Sequence, residues 1–212
     1  MAHQVVTRDY PENINGGIGI CGIEFGGDDS HSSASLTTAA DDLSFFSDLA
    51  ARPTDKFQSR VVSWLSLWDI NLTTEKGTEG KLERRFFQTN WLDLQNPKST
   101  HSVDDLAAGA EGILRLIAVR APAVMFLFGA QLIEALNHID IRDLTESALG
   151  PRPGRPVLHR AHLPESSRAT ILRHQSWPKC EVFCLPHPTG SHGVTNASIA
   201  TFAHVIRPAV MI

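Results

Sequence analysis

Apolar residues in this chain gather into four short runs. These are Ile18 to Ile23, Phe86 to Trp91, Val124 to Phe128 and Val182 to Leu185. Runs of this length, bounded by Gly, Pro and polar residues, predict strands buried in a sheet. Between them the apolar positions recur three and four apart, as on one face of a helix. Asp41 and Asp42 precede Leu43, Phe45, Phe46 and Leu49, which predicts a capped helix. Residues 56–68 place Phe57, Val61, Val62, Trp64, Leu65 and Trp68 on one stripe of core residues. Ser102 caps a helix expected over 103–119. Two further helices are expected over 129–137 and 196–205.

The remaining segments lack a period. Residues 1–17 read as an irregular N-terminal arm, residues 26–40 as a long loop, and residues 150–165 as too proline-rich for regular structure. Strands that alternate with helices give a parallel sheet covered on both faces. The expected fold is therefore α/β, a three-layer α/β/α sandwich with a short, mostly parallel four-stranded sheet, in a single domain over residues 1–212.

Composition narrows the picture. The chain has 212 residues, of which 42% are hydrophobic and 20% charged, as in an ordinary globular domain. No apolar run reaches the roughly 18 residues of a membrane span, and the N-terminus has no signal-peptide core. A cytoplasmic protein with no membrane partner is expected. The three cysteines, Cys21, Cys180 and Cys184, do not make a disulfide framework. Cys21 and Cys184 fall in core strands, where cysteine behaves as a small hydrophobe. His159, His162, Cys180 and Cys184 do not match structural zinc spacings, so no metal and no cofactor is expected. The net charge is −4, against a broad nucleic-acid surface. Yet residues 151–175 hold Arg152, Arg155, Arg160, Arg168 and Arg173 against Glu165 alone, a local balance of +4. Such a segment reads as a solvated loop or as a phosphate-contacting flap.

Chemistry concentrates where the strands end. His187 is held between Pro186 and Pro188 directly after the last apolar run. The Gly-rich turn Gly22-Ile23-Glu24-Phe25-Gly26-Gly27 follows the first. In open α/β sheets ligands bind at that edge. Gly17, Gly19 and Gly22 spell a dinucleotide fingerprint, but it lies on the strand rather than after it. A serine hydrolase needs a nucleophile elbow that is absent, although Ser191 with His192, or a serine of 30–35 with His187, forms a nominal dyad.

Four pieces together resemble the uracil-DNA glycosylase superfamily: Gly22-Ile23-Glu24-Phe25-Gly26, Thr89-Asn90, Val124 through Ala130, and His187-Pro188-Thr189-Gly190-Ser191. They span nearly the whole chain in the superfamily's order. Phe25 stands where the first motif usually has Pro, and Glu24 where members place Asp, Asn or Ala. The apolar wedge some members push into the duplex is missing after His187. The resemblance implies hydrolysis of the N-glycosidic bond of uracil or another deaminated base in DNA, with a flipped base as substrate.

It assigns His187 as a neutral donor to the departing base. Asn90 is the base reader, since one carboxamide offers both a donor and an acceptor. Glu24 is the carboxylate that positions water, with Asp28 and Asp29 as equal alternatives. Gly26 and Gly27 supply backbone N–H groups near the base, and Phe25 or Phe45 stacks on it. Ser191, His192, Arg152 and Arg155 contact DNA. The partner is DNA carrying a damaged base, or a free nucleobase. Binding without turnover on the same fold is the alternative.

Overall fold

The computed structural model describes residues 5, 7, 9–23, 56–75, 77–93, 100–162 and 168–211. Glu24, Phe25, Gly26, Gly27, Asp28, Asp29, Phe45 and the helix expected at 41–49 lie outside the described residues.

The four expected strands are β1 (Ile18–Gly22), β2 (Phe86–Asn90), β3 (Val124–Phe128) and, last in the chain, β6 (Cys180–Leu185). They pair in parallel in the order β2-β1-β3-β6. The sheet does not stop there. Strand β5 (Thr170–Trp177) adds antiparallel to β6 and β4 (Val157–Ala161) adds antiparallel to β5, giving a mixed sheet of six strands among the described residues. The expectation of a four-stranded sheet, and of no regular structure in 150–165, is corrected on this point.

The prolines misled because they end just before the strand: Pro153 and Pro156 precede Val157, where a missing N–H costs no ladder bond. β4 is also the edge of the sheet. Val157 is 58% and Leu158 46% exposed, so no alternation of buried and exposed positions marks it. In β5 the inward Gln175 is polar, and it is satisfied by reciprocal bonds with Asn137 at 2.9 and 3.0 Å. Buried amides tolerate such a position only when both ends are paired.

The helices are α1 (Lys56–Leu67), α2 (Lys81–Arg84), α3 (Val103–Ala108), α4 (Glu111–Arg120), α5 (Ala130–Leu136), α6 (Arg142–Leu149), α7 (Asn196–Ala200) and α8 (Ala203–Val210). They cover both faces of the sheet. On one face Ile18, Ile20, Phe126, Phe128 and Phe183 pack with Trp64, Leu65, Phe202 and Ile206 of α1 and the C-terminal helices. On the other, Cys21, Met125, Leu127 and Cys184 pack with Leu106, Ile113, Leu132 and Leu149. Neighbours along each strand thus alternate between two cores, and every residue of β1, β2 and β3 is buried. Each large apolar side chain so buried contributes roughly 1.5–3 kcal/mol.

Two expected helices are broken in two. The stretch 103–119 breaks at Gly109 and Ala110, and a side chain at 109 would lie 2.4 Å from Leu92 Cδ2, so the close approach there needs glycine. The last helix breaks at Thr201–Phe202 before α8 begins. The Ser102 cap is present, with Asp105 N donating to Ser102 Oγ at 3.1 Å and Ser102 N to Asp105 Oδ2 at 3.0 Å.

The N-terminal arm is tied down by Arg120, a buried cation at the end of α4. It donates to Asn13 Oδ1 at 2.9 Å, pairs with Asp9, and lies 4.9 Å from the Phe87 ring centroid. Val5 bridges Thr89, so the outer edge of β2 is partly covered. No helix among the described residues is long and apolar enough to cross a membrane.

Candidate functional site

The strand order decides where ligands can sit. From β1 the chain steps to β2 on one side, then returns to β3 on the other. The switch point between β1 and β3 opens a crevice beyond their carboxyl ends, the place where open α/β sheets bind ligands. Gly129, directly after β3, has φ +141°, and a side chain there would lie 2.9 Å from Ile23 Cδ1. Glycine is needed at that turn for both reasons. Its N–H donates to Leu185 O at 2.9 Å, which ties the end of β3 to the end of β6.

A cleft of about 470 Å³ starts at this switch point, lined by Ile23 and Gly129, and extends past Pro186, His187, Ser191 and His192 to Arg168 and Arg173. That volume lies within the roughly 300–1,000 Å³ of small-ligand sites. Its far wall is β5, because the antiparallel strand presents its amino end, Thr170, at the carboxyl edge of β6.

His187 follows the last strand by two residues and is half-buried. The Thr189 amide donates to its Nδ1 at 3.3 Å, with Thr189 Oγ1 at 3.2 Å from the same nitrogen. Burial holds its pKa below the usual histidine range. Both facts favour a neutral ring whose proton sits on Nε2.

Asn90 ends β2 and pairs in register with Gly22; it is 4% exposed. A Cβ on Gly22 would stand 2.5 Å from Asn90 Oδ1 and 3.9 Å from Phe57 Cζ. The glycine therefore makes room for the carboxamide. Phe57, in the first turn of α1, reaches the other way as well. Its ring centroid lies 5.7 Å from that of His187 and 5.6 Å from that of Phe128. Asn90, Phe57 and His187 thus share one edge and one face of the sheet, with Phe57 between the other two.

Phe57 is the residue that the sequence reading assigned only to the core stripe. Its place at the very start of the helix, one turn ahead of buried Val61 and two ahead of Trp64, was the available signal. Ser191 and His192 line the cleft. Arg152 and Arg155 do not: β4 pairs Val157 with His174, which pairs with Phe183, so residues before Val157 run towards the amino end of β6. Arg168 and Arg173 are the arginines that line it among the described residues.

Rival chemistries find little support in the geometry. Gly19 packs against Met125 Sδ and Phe87 inside the sheet rather than forming a phosphate loop. Ser176 Oγ lies 3.3 Å from His174 Nε2, but Glu181 occupies that same nitrogen at 2.7 Å. A catalytic triad needs the carboxylate on the other ring nitrogen. Among the described residues no group of three His, Cys, Asp or Glu side chains is arranged to hold a metal. The buried thiols titrate far above the normal range, Cys184 at about 12, chiefly through desolvation.

No protein-family model matches the chain, and no curated protein matches it.

Proposed function

We propose that the protein is a uracil-DNA glycosylase-like hydrolase that cleaves the N-glycosidic bond of uracil or another deaminated base in DNA. The observation that supports this reading is the row Asn90, Phe57 and His187 along one sheet edge, of which His187 also lines the neighbouring cleft. In this reading an extruded base lies against the Phe57 ring. The Asn90 carboxamide pairs with its O4 and N3–H edge. As the bond between the sugar C1′ and the base nitrogen breaks, both bonding electrons leave with the base. The Nε2–H of His187 donates to the base oxygen on which negative charge grows. Water adds to C1′, and its proton passes to the carboxylate that holds it and from there to the released base anion, so that the products are the sugar hydroxyl and the neutral base. Glu24, one residue beyond the cleft-lining Ile23, is the acid closest in sequence for holding that water.

The role asked of His187 matches its electrostatics. A neutral donor stabilises a growing anion without first paying for a buried cation, and one such donor is worth roughly 3 kcal/mol. The test is a set of oligonucleotides carrying uracil, hypoxanthine or xanthine, read for abasic sites. The reading expects release of one of these bases, and a fall of about a hundredfold or more in His187→Ala. A complex with base but no abasic sites favours the binding-only alternative. An unchanged rate in His187→Ala rejects the mechanism.

A further inference from the structure

The outer edge of the sheet carries a cluster of imidazoles that the cleft does not include. The ring of His159, on edge strand β4, lies 6.1 Å from that of His174 on β5 and 6.3 Å from that of His204 on α8, centroid to centroid. Two of the three rings are supported. His204 Nδ1 donates to Thr201 O at 2.8 Å, a carbonyl that can only accept. His174 Nε2 donates to Glu181 Oε2 at 2.7 Å, and the ring stacks on Phe183 at 4.5 Å. A positive charge on His174 is thus offset by the Glu181 carboxylate. His159 has no such support: its Nε2 is buried and makes no hydrogen bond among the described residues. The titratable groups that face it there are His174 and His204, and Glu181 stands behind His174. Arg160 and Arg173 alternate with His159 and His174 along their strands and project from the opposite face. Arg207 of α8 is paired with Asp69 at 2.7 Å. A proton on His159 therefore places a poorly solvated cation beside two more imidazoles. The strand that carries it is weakly anchored. Ala161 alone of β4 is buried, and Val157 and Leu158 are exposed. Segments with so little apolar burial open locally at low cost.

We propose that His159, His174 and His204 form an acid-sensitive latch that holds edge strand β4 against β5 and α8, closed while His159 is neutral and opened when His159 takes up a proton. The inference is independent of the reaction proposed above. Burial first, and then the two neighbouring rings, hold the pKa of His159 below the usual histidine range in the closed strand. Opening gives the ring water and separates it from His174 and His204, so the charged form is favoured in the open strand. The closed state is fully stable above pH about 6.5 and loses stability as pH falls through the lowered value. Carboxylates stay ionised until pH falls to about 4, so the latch opens before general acid unfolding begins.

The test is amide hydrogen exchange by NMR on the full chain at about pH 7.5 and about pH 5.5, corrected for the intrinsic pH dependence of exchange. Wild type, His159→Phe and His204→Gln are compared. Phe keeps a ring of similar size that never charges. In the wild type, protection of the β4 amides is expected to fall several-fold at the lower pH, while β1 and β3 keep theirs. The fall is expected to vanish in His159→Phe and to shrink in His204→Gln. Equal protection of β4 at both pH values in the wild type overturns the proposal. A fall that persists undiminished in His159→Phe overturns it too, because another group then drives the opening. A second measurement covers the case in which His159→Phe loosens β4 at both pH values. The ring of His159 is titrated in the wild type, and its midpoint is expected to coincide with that of the β4 protection loss. Two separate midpoints overturn the latch.

Discussion

The backbone amide of Thr189 donates to Nδ1 of His187, and this contact leaves Nε2 as the donor nitrogen of the neutral ring. With Nδ1 occupied as an acceptor, the neutral ring carries its proton on Nε2. The two prolines around His187 restrict the loop, so the arrangement costs little ordering entropy when it acts.

A pH dependence follows. Burial depresses the pKa of His187 below its ordinary 6.5, and burial together with the charges of His174 and His204 depresses that of His159. Each ring takes up a proton less readily folded than unfolded. Stability is therefore full above pH about 6.5 and is lost as pH falls through the lowered folded values. On the proposed function, base release is expected to track His187: the rate stays level from pH 8 down through 6.5 and drops only below it. A rate–pH profile with ring titration by NMR checks this. A midpoint above 6.5 contradicts it.

The space above Gly22 is set by the Asn90 carboxamide. Gly22→Ala puts a methyl 2.5 Å from Asn90 Oδ1; this is the end of a side chain, so the fold survives and the amide moves. The expected result is loss of about 1–3 kcal/mol of discrimination between uracil and cytosine, with the thermal midpoint little changed. Asn90→Asp is expected to change base preference more than DNA affinity. Competition binding with the two bases measures both. Equal losses for all bases contradict the assignment.

Phe57 links the two ends of the site. Phe57→Leu keeps an apolar side chain of similar size and costs about 1 kcal/mol of stability. It removes a flat surface worth roughly 1–3 kcal/mol to a stacked base. Base affinity is expected to fall about tenfold while the denaturation midpoint shifts slightly. A drop in stability with unchanged affinity assigns Phe57 to the core alone.

Much of this was legible in the residues. Val124 to Phe128 and Val182 to Leu185 are buried on both faces, so their apolar runs announced them, and His187 stood out because two prolines frame it. β4 was hidden because an edge strand needs no apolar alternation, and its prolines lie just outside the ladder. β5 was hidden because Arg173 and Gln175 break its pattern, one lining the cleft and the other paired with Asn137. That same hidden strand brings Arg168 and Arg173 to the cleft, which no spacing in the sequence distinguishes. Phe57 was visible as a core residue but not as a site residue, since its second contact, His187, lies far away in the chain.

The central claim is that Asn90 and His187 serve one ligand. Titrating isotope-labelled protein with uracil and following the Asn90 side-chain amide and the His187 ring by NMR tests it most directly. Both sets of resonances are expected to shift together and to give the same dissociation constant. Movement of one without the other, or two different constants, contradicts the claim.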